Sequence, residues 1–193
     1  MELVAERGYD HLTMAGLARK LGVYASALYN HVSSKHDVLV LIQDRLNEEI
    51  DYSAFDHMDW PQALRHWAVS YRECYIEHTE LIPLIEVLPI ADAPQSVRMY
   101  ERVFTALHSA GVGPRDAVDI IVGIEALVFG AAFDASAPAD IFDPGGLLEM
   151  APAFAEAAAL RAADARGSAD RAFELALDAL IDGLSRRISP ERA

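Results

Sequence analysis

The stretch Leu12-Thr13-Met14-Ala15-Gly16-Leu17-Ala18-Arg19-Lys20-Leu21-Gly22-Val23, continued by Tyr24-Ala25-Ser26-Ala27-Leu28-Tyr29-Asn30-His31-Val32-Ser33-Ser34-Lys35, decides the fold of this chain. Thr13 suits a helix N-cap, and Met14, Leu17, Ala18 and Leu21 follow the i, i+3, i+4, i+7 rule of an amphipathic helix. Gly22 can take the left-handed conformation, so this helix is predicted to stop after two turns. A second short helix, about Tyr24 to His31, sets Leu28 and Val32 on one side and small or polar side chains on the other. Ser34-Lys35-His36-Asp37 resembles a capping box and opens a longer helix carrying Leu39, Ile42 and Leu46. Residues 2–7 read as the end of a preceding helix stopped at Gly8. Two stubby helices joined at a glycine, with a helix on either side, have the spacing of a helix-turn-helix.

Such a motif needs one helix to brace across the DNA backbone. The other must be short, polar outside and anchored by a few apolar residues, so that it enters a major groove about 12 Å wide. Leu17, Leu21, Leu28 and Val32 are the predicted anchors, with Tyr24, Ser26, Ala27, Asn30 and His31 facing outward. Lys35, at the start of the next helix, adds a charge beside backbone amides, a combination suited to a phosphate.

Outward from this stretch, helical spacing persists over almost the whole chain of 193 residues, and no alternating run of strand length is bounded by turn residues. The fold class read from this is all-α. A polar break from Asp51 to Asp59 ends the first unit, giving an N-terminal helix-turn-helix domain over 1–51 and a larger helical domain over 52–193. In the latter, one long helix from Pro61 carries Leu64, Trp67, Ala68, Tyr71, Tyr75 and His78 on a stripe. Pro83, Pro89 and Pro94 divide the next stretch into a short helical piece and a loop. Further helices are predicted around Val97 to Leu107, from Pro114 to Phe133, over 152–165, and from Ser168 to about Ile188.

Composition excludes several classes. Apolar residues make up 52% and charged residues 24%, which sets aside wholly disordered and collagen-like chains. With Cys74 as the only cysteine, there is no intrachain disulfide framework and no multi-cysteine zinc site. The apolar run Ala117 to Phe133 includes Asp119 and Glu125 and is shorter than the roughly 20 residues a membrane span requires. Met1 to Arg7 has acids where an export signal needs a basic start, so a cytoplasmic protein with no membrane association is expected. The net charge of -14 is unevenly placed. Residues 1–35 hold four basic and three acidic side chains, whereas residues 36–193 hold 12 and 27. An acidic body with one near-neutral end repels DNA everywhere but at that end, which favours end-on docking.

The residues from Leu12 to Val23, with Leu28-Tyr29-Asn30-His31-Val32 and Lys35, closely resemble the DNA-binding region of the tetracycline-repressor (TetR) family. The resemblance implies that Thr13, Tyr29 and Lys35 touch phosphate, that His31 touches phosphate or base, and that Ala25, Ser26 and Ala27 form the groove-facing surface, with Asn30 beside them. The family's first helix begins several residues earlier, often after a basic tail, so this chain is expected to be shortened or to have a misassigned start, with a cost in DNA affinity. It has Ala15 where tetracycline repressors carry a guanine-reading arginine, and Ala25 and Ala27 where they carry polar readers. The operator sequence therefore does not transfer, and specificity is expected to rest on thymine methyls, His31, Asn30 and DNA shape.

The resemblance also implies an all-α domain that senses a small molecule and forms a homodimer. Trp60-x-x-x-Leu64-Arg65, Ser70-Tyr71-Arg72, Arg115-Asp116-Ala117 and Phe129-Gly130-Ala131 resemble tetracycline-type repressors. The drug site does not match, since Trp67 stands for the drug-contacting asparagine and Ile85 for the magnesium-binding histidine. Trp67, Tyr71, Phe104 and the apolar helix, with tyrosine hydroxyls and His108 as polar handles, are the candidate lining of a pocket for an apolar or aromatic effector, against the plainer reading as core residues. His66, His78 and His108 lack the spacing of a metal site, Cys74 reads as a buried thiol, and no catalytic set or cofactor is expected. Dimerisation is predicted through the helix at 117–133 and the last helix. The chain is thus expected to be a ligand-released repressor that binds double-stranded operator DNA, the alternative being an all-α binding protein or enzyme with a vestigial DNA-binding motif.

Overall fold

The computed structural model describes residues 12–188, and the helix expected over residues 2–7 lies outside them. The described residues form α1 (Met14–Leu21), α2 (Ala25–Tyr29), α3 (Lys35–Asn47), α4 (Trp60–Ile76), α5 (Ile82–Ile85), α6 (Pro94–Ser109), α7 (Pro114–Ser136), α8 (Pro152–Ala163) and α9 (Ala165–Ile188). Short 3-10 turns occur at Ser53–Asp56, Thr79–Leu81 and Gly145–Met150, and no strand occurs among the described residues.

Local chemistry sets the boundaries. Thr13 Oγ1 accepts from the Gly16 amide at 3.0 Å, and Gly22 closes α1 at φ 68°. The box predicted at Ser34 forms: its hydroxyl accepts from the Asp37 amide at 3.2 Å while Asp37 Oδ2 accepts from the Ser34 amide at 3.2 Å. That carboxylate also takes the Ser33 amide at 2.7 Å, drawing the chain into a bend before α3. The reading helix is accordingly shorter than predicted, ending at Tyr29 instead of His31. Of the four expected anchors, Val32 is buried and Leu17 and Leu28 are partly so. Leu21, the last residue of α1, is 58% exposed. Leu12, Ala18, Val38 and Leu39 are buried in the first unit as well.

In the larger part, α7 is central and packs against α4, α6 and α9. The α4 stripe is buried at Leu64, Trp67, Ala68, Tyr71 and Tyr75, whereas His78 falls beyond the helix end at Ile76. Tilted and edge-on aromatic contacts run from Phe55 through Trp67 and Tyr71 to Phe129, with centroids 5.5–6.5 Å apart. Each such pair adds about 1 kcal/mol beyond the area it buries. Arg72 is buried, pairs with Asp170 at 2.8 Å and lies 4.9 Å over the Phe173 ring, tying α4 to α9. No helix among the described residues is long and apolar enough to cross a membrane.

The two parts meet through α3. Asp44 Oδ1 accepts from the Gln95 and Ser96 amides at 2.7 and 3.1 Å, capping the start of α6 from outside that helix. Asn47, fully buried, donates to Ser96 Oγ at 2.8 Å and accepts from the Tyr75 hydroxyl at 3.1 Å. Each member of this buried network has a partner, the condition under which such a network rigidifies its surroundings.

Candidate DNA-reading surface and ligand cavity

The outward surface of the first unit is built by α2 and the residues that flank it. Tyr24, at the α2 N-cap, is 86% exposed. Ala25, Ser26, Ala27, Tyr29, Asn30 and His31 are all exposed, leaving Leu28 as the inward-turned member of the helix. Thr13 is exposed at the start of α1, where its oxygen caps the helix and its own proton is left to donate outward. Arg19 and Lys20 lie in the last turn of α1 and Lys35 opens α3. The eight residues expected to meet DNA thus lie on α1, α2, the turn after it and the start of α3, and none of them is buried. Tyr24, 86% exposed, faces outward as its sequence position predicts, although that reading assigns it no contact.

Between α4, α6 and α7, with α3 and the α5 region closing one side, lies a cavity of about 480 Å³. Its wall is mainly apolar: Ile85, Leu88, Val97, Phe104, Ile121 and Phe129 contribute. Its polar centre is Glu125 of α7. Tyr71 donates to Glu125 Oε1 at 2.8 Å, and Tyr100 donates to the same oxygen in a shorter bond. Burial raises the Glu125 carboxyl above the ordinary carboxylate range, the two phenols oppose that shift, and nearby Glu86 adds to it. Burial beside this carboxylate also pushes both phenols above the ordinary tyrosine value. They remain donors throughout the physiological range. Gln43 of α3 also lines the cavity; it is 5% exposed, and its Oε1 is buried without a hydrogen-bond partner.

Tyr71 and Phe104 stand in the cavity wall. Trp67 and His108, expected beside them, do not. Trp67 is fully buried between Phe55 and Tyr71, one turn of α4 away from the cavity. His108 stacks on Phe104 at 5.7 Å, and its Nδ1 sits 3.0 Å from the Val112 carbonyl oxygen. Sequence reasoning missed Glu125, Tyr100 and Gln43. Glu125 carried one signal, an acid at the middle of the most apolar run of the chain, whose other acid, Asp119, lies near its start, since such a residue is rarely buried without a role or a partner. Cys74 is partly buried, and its thiol is pushed up to about 11 by desolvation, so it stays protonated.

Comparison with known proteins agrees with this architecture at both ends of the chain. Residues 1–42 match the family model described as bacterial regulatory proteins, tetR family, and residues 56–188 match that of the tetracyclin repressor-like C-terminal domain. The class A tetracycline repressor from transposon 1721 of Escherichia coli is 30% identical over 191 residues, which cover 97% of this chain and 87% of that protein. An HTH-type transcriptional regulator of Saccharopolyspora erythraea is 29% identical over 131 residues, 68% of this chain and 55% of that relative, so the match spans only about half of its length. In three dimensions, apo ActR of Streptomyces coelicolor superposes with a TM-score of 0.77 at 22% identity, covering 98% of this chain and 92% of that one. With both family models matched and a helix-turn-helix joined to a larger helical domain, the chain belongs to the TetR family of transcriptional regulators.

Proposed function

We propose that this regulator is a cytoplasmic homodimeric repressor, not an enzyme, in which residues 1–51 bind operator DNA and residues 52–193 dimerise and take up a small molecule that releases the DNA. The single observation that carries this reading is the double attachment of α3. It follows the reading helix directly, caps α6 through Asp44, and contributes Gln43 to the cavity wall. A ligand that fits the cavity better in one setting of α3 and α6 shifts the reading helix with them. DNA affinity then falls by that difference in ligand affinity.

Dimerisation is supported by the outer faces of α7 and α9. Gly123, Ala126, Gly130 and Phe133 are exposed at helical spacing on α7, and Ala172, Leu175, Ala176 and Ala179 are exposed on α9. A groove of about 520 Å³ runs between these helices, with Ile120 and Leu184 in its wall. Small apolar residues on two neighbouring helices allow close approach of a second copy and a four-helix interface. A symmetric pair would set two α2 helices about 34–36 Å apart, one turn of DNA. The resemblance to tetracycline repressors does not extend to their ligand. Ile85, which the family resemblance sets in the place of a magnesium-binding histidine, is an apolar wall residue, and Trp67 is not in the wall.

Fluorescence anisotropy with the DNA flanking the regulator's own gene tests this reading. Sequence-specific binding with a steep linear fall of log K against log salt is expected. Binding indifferent to sequence, or no binding to any flanking fragment, would overturn it.

A further inference from the structure

We infer that the cavity at Glu125 takes an amphiphilic organic cation, a protonated amine carried on an aromatic or aliphatic body. This rests on the ligand-responsive reading above and names the class of molecule. Three carboxylates, Glu86, Glu101 and Glu125, stand among the cavity's lining residues, and no lysine, arginine or histidine does. The field inside is therefore negative. An anionic ligand would enter against it, and a neutral one would leave the buried carboxylate without a counter-charge.

The polar geometry makes the same selection. Both phenols donate to Glu125 Oε1, which leaves Oε2 for a further donor. The second buried polar atom is Gln43 Oε1, an acceptor with no partner. Two acceptors in an apolar chamber ask for a ligand that brings N–H groups, and an ammonium brings three with a positive charge. The rings of Tyr71, Tyr100, Phe104 and Phe129 in the same wall offer faces to a cation and area to its apolar body. The volume of about 480 Å³ holds a molecule of drug size rather than an ion or a short polyamine. Glu86 and Glu101 are exposed, so they mark the solvent side, where a second charge attracts the cation on entry.

Isothermal titration of the intact protein with three probes of one shape tests this: 4,4-diphenylbutylamine, 4,4-diphenylbutan-1-ol and 4,4-diphenylbutanoate. The amine is expected to bind about tenfold or more tightly than the alcohol, as one charge-assisted hydrogen bond provides, and the carboxylate more weakly than either. Glu125→Gln is expected to remove the preference for the amine over the alcohol, since the residue keeps its shape and loses its charge. Equal binding of alcohol and amine, tighter binding of the carboxylate, no saturable binding of the amine, or a preference that survives Glu125→Gln would each overturn the assignment. The wild-type comparison stands even if the variant fails to fold. Operator anisotropy separates the two readings: selective DNA binding without amine selectivity refutes only the cation, whereas amine selectivity without DNA binding refutes only the regulator.

Discussion

Two residues concentrate the chemistry, His31 on the outside and Glu125 within. His31 is exposed beside Asn30 just past the end of α2, where few other side chains can form paired hydrogen bonds to bases. His31→Ala is expected to weaken operator binding about tenfold, roughly 1–3 kcal/mol for one lost base contact, with dimerisation and cavity binding intact. An unchanged dissociation constant in anisotropy would remove His31 from the groove. Lys35→Ala should act differently, lowering affinity alike on all sequences and reducing the salt slope by about one unit, as expected of a phosphate contact. For Glu125 the sign follows from its raised native pKa, with Tyr71, Tyr100 and Glu86 the titratable groups around it. Between its unfolded value and that raised value the folded chain binds more protons, so stability falls as pH rises through this window. Glu125→Gln lacks this term, and the melting temperature of the variant relative to wild type is expected to be higher at pH 8 than at pH 5. A difference that does not change with pH would mean that the carboxylate is solvated in the native state.

At the scale of elements, the short helices around Gly22 were legible because their signals are local: a capping threonine, a left-handed glycine and a capping box each act within a few residues. Their consequences can be measured. Gly22 has φ 68° and open space where a Cβ would stand, so Gly22→Ala is expected to cost about 1 kcal/mol, from backbone conformation alone. Ser34→Ala should cost a similar amount, about 1 kcal/mol, through loss of the cap. Urea unfolding followed by circular dichroism reads both, and an effect near zero would show that the turn reforms without them. The cavity was less legible, because its wall comes from separate helices whose facing rotations are set by packing rather than by neighbours in the chain. Trp67 and Tyr71 lie on one stripe of α4, yet only Tyr71 reaches the cavity. Periodicity identifies the inward face and does not distinguish core from cavity along it. Tyr100 and Glu125 become partners across 25 residues by the packing of α6 on α7, a pairing without a local signature.

At the scale of the whole molecule, the path from cavity to DNA and the symmetry of the dimer make separable demands. Ala126 is exposed on the outer face of α7, away from the lining of the Glu125 cavity. A long charged side chain there would be harmless in a monomer and desolvated in the proposed four-helix contact. Ala126→Arg is therefore expected to halve the mass by light scattering and to weaken operator binding at least tenfold, while amine titration is unchanged; a variant of unchanged mass would place the dimer contact elsewhere. Asp44 tests transmission. Its carboxylate holds the Gln95 and Ser96 amides at the start of α6, and Asp44 is not among the lining residues of the cavity. Removing it leaves two backbone donors uncapped and loosens the coupling of α6 to α3, of which the Asn47–Ser96 bond remains. Asp44→Ala should thus bind operator and amine separately with near wild-type constants, yet the amine should lower its operator affinity severalfold less than it does for wild type. Full release in this variant, measured by anisotropy at saturating amine, would show that the signal crosses between the domains by a route other than the Asp44 cap.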